Sequence, residues 1–195
     1  MKRLAALLFA LMLAGCAALP PATSQHPQAA ADLDSWAFNG RVSLTRGETG
    51  WHAGLVWREQ AGAYSLRVAG PLGQGAFELN GDAAGVMLVD ADNQTFTARN
   101  ADALVLHVTG WILPVSGMHY WVRGLAAPDG AAQVQRDAAG LMTRLEQSGW
   151  VINYDRYQSV AGLSLPGKLR LERDDFAVRL VIDEWLLDPA DIPAP

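Results

Sequence analysis

Half of the 195 residues are hydrophobic and only 18% are charged, which supplies one sizeable core and excludes a largely disordered chain. Leaving out the basic pair Lys2 and Arg3, 13 basic side chains stand against 20 acidic ones, a net of −7. That balance argues against nucleic acid as a partner, because neutralising phosphates needs a basic face. The single cysteine, Cys16, excludes an internal disulfide and a cysteine-based zinc site.

Lys2-Arg3 is followed by eleven mostly apolar residues, Leu4 to Ala14, and then by Gly15-Cys16. This is the charge, apolar run and small-residue ending of a secretory signal, predicted over residues 1–15. It is too short for a spanning helix, which needs about 20 apolar residues. Leu13-Ala14-Gly15-Cys16 resembles the bacterial lipoprotein box, which implies cleavage before Cys16 and acylation of its thiol and its new amino group. By the same resemblance, Ala17 is not the aspartate that marks retention at the inner membrane, so the outer membrane is implied. Residues 16–34, rich in Ala, Pro, Gln and Ser, have the composition of a lipidated flexible tether, and residues 35–195 are predicted to be one domain.

From Trp36 onward apolar and polar residues alternate, with turn formers every ten residues or so, which predicts strands. Phe38, Val42 and Leu44 mark a first strand. Trp51, Ala53, Leu55 and Trp57 form one face of a second, with His52, Gly54 and Arg58 on the other. Tyr64, Leu66 and Val68 alternate with Ser65 and Arg67 in a third. Phe77 with Leu79, Val86 with Leu88, and Phe96 suggest three more, joined at Asn80-Gly81-Asp82 and Asp92-Asn93, residue types that tolerate positive φ.

Apolar residues at 101, 104, 105 and 108 then follow helical spacing, with Gly110 as a stop, and a second short helix is predicted over Gly117 to Arg123. Strand patterning returns at Leu141–Leu145, Trp150–Tyr157, Leu169–Leu171 and Phe176–Ile182, before Trp185. The chain is therefore expected to be mainly β with α, an incomplete (open) antiparallel barrel whose helices cover one face. If side chains fill the concave interior it is only a core; if they fall short it is a pocket. Seven tryptophans are more than a small core needs, which makes a lipid-sized cavity under a helical lid a candidate beside a solid core. Strand phase makes Trp51, Leu55, Trp57, Leu66 and Val68 the candidates to line that hydrophobic cavity.

No catalytic constellation stands out. His26, His52, His107 and His119 lack metal-ligand spacing, and neither Ser116 nor Ser164 sits in a nucleophile elbow. Gly70-Pro71-Leu72-Gly73-Gln74-Gly75 joins two strands, so it lacks the helix N-terminus of a phosphate loop. Asp137, Glu146, Glu172, Asp174 and Asp175 fall on polar strand phases or in turns. No enzyme, metal or cofactor is expected. Leu72, flanked by Pro71 and Gly73, has few local neighbours to bury it: it either folds back onto the barrel rim or projects to enter a bilayer or a partner groove.

Trp36 with Asn39-Gly40-Arg41, Leu55-Val56-Trp57, Tyr64-Ser65-Leu66, Gly70-Pro71-Leu72-Gly73, Leu113-Pro114-Val115, Tyr120-Trp121-Val122-Arg123-Gly124, Gly149-Trp150-Val151, Leu165-Pro166 and the closing Trp185, taken in this order behind a lipoprotein box, resemble the outer-membrane lipoprotein receptor LolB family. The resemblance implies a helix-lidded open barrel over a hydrophobic cavity. It also implies an activity: acylated lipoprotein cargo is accepted from the periplasmic carrier LolA and inserted into the inner leaflet of the outer membrane. It implies a lipid-anchored protein facing the periplasm, a monomer, with outer-membrane lipid as a further partner, and it makes Leu72 the tip of a membrane insertion loop. The alternative is an envelope scaffold or assembly factor of the same shape without a lipid cavity.

Overall fold

The computed structural model describes residues 30–188. These form eleven strands and two helices: β1 (Ser35–Arg46), β2 (Thr49–Gln60), β3 (Ala63–Ala69), β4 (Phe77–Asp82), β5 (Gly85–Asp90), β6 (Thr95–Ala98), α1 (Ala101–Thr109), α2 (Val115–Trp121), β7 (Ala132–Arg136), β8 (Met142–Gln147), β9 (Trp150–Val160), β10 (Leu163–Arg173) and β11 (Phe176–Leu186). All strands lie in one antiparallel sheet, in the order β6-β5-β4-β3-β2-β1-β11-β10-β9-β8-β7. Each neighbouring pair is a hairpin except one, the ladder in which β1 meets β11 along their length. The sheet is open, and the chain between its two edge strands, β6 and β7, is the helical segment.

Tight turns drive this meander. Ala61-Gly62, Ser148-Gly149 and Ala161-Gly162 all have positive φ at both positions, the backbone twist that suits two-residue hairpins. β4 runs through the expected turn at Asn80-Gly81, and the chain reverses at Ala83-Ala84, where the Asp82 carboxylate accepts the amides of Ala84 and Gly85. The curl needed for a half-barrel comes from register breaks, one on β1 at Asn39/Gly40 and others on β10 between Pro166 and Leu169. Gly40 makes the first possible, because a Cβ there would meet the Val181 carbonyl at 2.5 Å.

One row across the sheet, Trp185, Phe38, Trp57, Leu66, Leu79, Leu88 and Phe96, is in register on seven successive strands, and all but Phe96 are buried. The rings of Trp36, Phe38, Trp57 and Trp185 pack on one another with centroids 5.1 to 6.2 Å apart, so much of the tryptophan excess is spent on solid packing.

α1 starts where Asn100 Oδ1 accepts the Ala103 amide at 2.8 Å and stops at Gly110, which is left-handed. It lays Ala101, Leu104 and Val105 on the concave face. α2 begins at Val115, two residues before the predicted Gly117 and with its last turn closing at Gly124, and buries Val115, Met118 and Trp121. Asp102 of α1 accepts the Ser116 amide of α2 at 2.9 Å, fixing the two helices to each other.

β7 was not predicted. Its residues Ala132–Arg136 are all exposed and Val134 is the only large apolar one, so no alternation marks it; pairing with β8 makes it a strand.

Gln147 ties the lid's exit to the sheet. Buried at 2% exposure, its Oε1 accepts the Trp121 indole N–H at 3.0 Å and the Ala127 amide at 2.9 Å, and its Nε2 donates to the carbonyls of Ala127 and Asp129. Gln147→Ala orphans a buried indole donor and unties a half-buried loop, so a loss of about 2–3 kcal/mol is expected in urea unfolding. Gln147→Glu, which accepts the same two hydrogen bonds but cannot donate and buries a charge, should be no better.

Candidate functional site

Between the sheet and α1 lies a cavity of about 260 Å³, walled by Val42, Leu44, Trp51, Val68, Phe77, Val105, Val108 and Trp111, with Asp90 and Asp92 at one side. Its lining is dominantly apolar because β1, β2, β3 and β4 all present their concave phase here. Of the residues expected to line a cavity, Trp51 and Val68 do so. Leu55, Trp57 and Leu66 share that phase but lie farther along the strands, 0–1% exposed inside the core, and do not touch it. Strand phase identifies a face; it does not say which part of the face is filled. The contributions of α1, Val105 and Val108, and of the connection after it, Trp111 and Leu113, were not foreseen, although the 3.6-residue pattern of 101, 104, 105 and 108 carries the first two.

The mouth of this cavity adjoins the glycine-rich loop. Gly75 and Ala76 line the cavity, and the loop is closed on itself by Gly70 N–H to Gln74 O at 3.2 Å, Gly73 N–H to Gly70 O at 3.0 Å and Gln74 N–H to Pro71 O at 3.3 Å. Leu72 sits at the apex of its short 3-10 turn with φ +58 and ψ +23, and it is completely exposed, at 101%. It does not fold back onto the rim. The conformation is costly for a leucine, of order 1–2 kcal/mol, and it is imposed by the loop's hydrogen bonds. Gly70 permits that closure, since a Cβ there would collide with the Gln74 carbonyl and crowd the Trp51 indole at 3.2 Å. Gly70→Ala is therefore expected to raise loop proteolysis and to move Trp51 fluorescence, with little change in melting temperature.

At the other end of the concave face a polar cluster was missed. Glu59 is buried on β2, its Oε2 3.2 Å from His119 Nδ1 of α2. Arg123, also buried, donates to the carbonyls of Ala30, Leu33 and His119 and lies 5.8 Å over both Trp36 and Tyr120. Burial lowers the Arg123 pKa from its ordinary value, and the nearby Glu59 charge opposes that shift. Burial, reinforced by the charges of Asp102, Glu59 and Asp82, pushes Tyr64 up to about 12. This cluster holds the end of α2 and residues 30–33 on the sheet. The leader, Cys16 and most of the tether lie outside the described residues. Among the described residues no group of three or more His, Cys, Asp or Glu could hold a metal ion.

The single curved antiparallel sheet with its two helices is a fold shared with solved structures of low sequence identity. A LolA superfamily protein from Nitrosomonas europaea superposes with TM-score 0.54 at 9% identity, covering 83% of this chain and 89% of that one. A DUF1329 family protein from Desulfovibrio piger gives 0.53 at 8% identity, with 84% and 89% covered. The sequence is more specific than the fold. The family model "Outer membrane lipoprotein LolB" matches residues 34–185. The chain is 37% identical to an outer-membrane lipoprotein LolB of Stutzerimonas stutzeri over 95% of both chains, and 39% identical to one of Pseudomonas aeruginosa over 82% of this chain and 78% of that one. The chain belongs to the LolB family.

Proposed function

We infer that this protein is an outer-membrane lipoprotein receptor, taking acylated lipoproteins from the carrier LolA and releasing them into the inner leaflet of the outer membrane. The observation that carries this reading is the contact between an apolar cavity and an exposed apolar loop: Gly75 and Ala76 belong to both, and Leu72 stands three residues away. Cys16 is the proposed lipid anchor, holding the domain on the periplasmic side, and residues 35–195 act as one monomeric unit. No catalytic group is required. An acyl chain moves from one apolar cavity to another when the second binds it better, and about 1.4 kcal/mol gives a tenfold bias.

At about 260 Å³ the cavity is smaller than the roughly 300–1,000 Å³ typical of small-molecule sites. Cargo entry therefore has to displace α1, whose Val105 and Val108 form the roof. Saturable displacement of a fluorescent fatty acid by lipoprotein peptide is expected, and it should be weakened by Val105→Glu at unchanged far-ultraviolet circular dichroism. A protein that binds no acyl probe at any concentration is a scaffold, and the reading fails.

A further inference from the structure

The convex face of the sheet carries a groove of about 470 Å³ that the cavity-and-lid reading leaves unused. Arg41, Ser43, His52 and Arg179 line it together with Gly70 and Pro71 of the loop that carries Leu72. No carboxylate is among its lining residues, in a chain with a net charge of −7 once Lys2 and Arg3 are set aside.

Register explains the clustering. His52, Ser43, Arg179 and Arg170 occupy one cross-strand row on β2, β1, β11 and β10, so Arg170 and Arg179 face each other directly. Like charges so placed are unfavourable unless an anion lies between or beside them. Arg170 is satisfied by Asp155, with three contacts of 3.0 to 3.2 Å. Arg41 is held by Asp183 at 2.7 and 2.9 Å. Arg179 is exposed and makes no ion pair or side-chain hydrogen bond with any described residue. An unpaired guanidinium, a hydroxyl and an imidazole thus border the loop whose leucine is fully exposed.

We propose that this groove receives the headgroup phosphates of the glycerophospholipid bilayer that Leu72 enters, with Arg179 as the principal contact. The proposal rests on the membrane role of Leu72 and assigns it an electrostatic partner. Leucine insertion alone has no preferred azimuth, whereas a cationic groove on one side of the loop tilts the domain so that its convex face turns toward the lipid surface. A guanidinium suits the task because its donors fork onto phosphate oxygens.

The test uses the acylated full chain in vesicles of phosphatidylethanolamine and phosphatidylglycerol with brominated acyl chains, carrying a bimane-labelled Leu72→Cys. Bromine quenching of the label reports loop insertion. Arg179→Gln is expected to lower the inserted fraction about fivefold at low ionic strength, with Arg179→Lys retaining most of it and high salt erasing the difference. Quenching equal to the parent in Arg179→Gln overturns the proposal. So does release of the loop by inorganic phosphate at matched ionic strength, which would mark the groove as a site for free phosphate. A label unquenched even in the parent removes the membrane role of Leu72 itself, and the groove's assignment with it.

Discussion

Leu72→Glu is expected to abolish transfer of lipoprotein from this protein into liposomes while leaving its melting temperature and its uptake from the carrier unchanged. The side chain has no protein neighbours to lose, being fully exposed, so the folded state has nothing to be weakened by the change. Its backbone is already left-handed, and glutamate pays the same conformational cost there. What changes is the bilayer term: inserting one leucine is worth about 1.5–3 kcal/mol, and a carboxylate at the same depth reverses the sign. Radiolabelled cargo would be followed separately from carrier to receptor and from receptor to vesicle. If the two steps fall together, or if stability falls with them, Leu72 has a structural role that the exposed turn does not predict.

The second large effect separates the filled part of the concave face from its hollow part. Trp57→Ala should cost about 3–5 kcal/mol, a large share of the roughly 5–15 kcal/mol that holds a domain of this size. Trp57 is fully buried and packs against the rings of Trp36, Phe38 and Tyr64 at 5.8 to 6.3 Å. Trp51→Ala, on the same strand and the same face, enlarges an existing cavity at a half-buried position and should shift melting far less while altering acyl-probe affinity. Equal losses at the two positions in a denaturant titration would mean that the cavity wall is as tightly packed as the core.

These contrasts show what the sequence could carry. Period-two alternation over Trp51–Trp57 and Tyr64–Val68 defined the strands, their buried face and so the open sheet. The helical spacing of Ala101, Leu104, Val105 and Val108 placed α1. The exposure of Leu72 was only partly legible: Pro71 and Gly73 offer it no local cover, but folding back onto the rim stayed open until the left-handed turn was seen. Three things were not legible. Whether Leu66 or Val68 touches the void depends on how far α1 reaches over the sheet, a tertiary distance that no local pattern encodes. Strand β7 is made by its partner, since its own residues carry no alternation. The Glu59–His119 pair joins residues 60 positions apart, and a glutamate on an apolar phase looks like a flaw in the pattern until its partner is seen.

Running antiparallel, the ladder between β1 and β2 sets a distance with consequences for the proposed anchor at Cys16. Ser35 pairs with Gln60, whereas the Leu72 loop leaves β3 at Ala69, opposite Gly54. These points are six residues apart along β2, about 20 Å at 3.3 Å per residue. The described chain thus begins at the end of the sheet away from the loop, and Arg123 fastens it there through the Ala30 carbonyl. If an acylated Cys16 and the tip at Leu72 share one membrane, as proposed, Ala30 stands about 20 Å from that membrane along this ladder. The fourteen residue steps from Cys16 to Ala30 can extend at most about 46–50 Å, about 26–30 Å more than that distance. Deleting half of them would leave roughly 25 Å and bring the segment nearly taut. On that proposal the segment's length sets a limit that its composition does not: residues there can be exchanged, and removing more than about half of them is expected to draw Leu72 out of the bilayer.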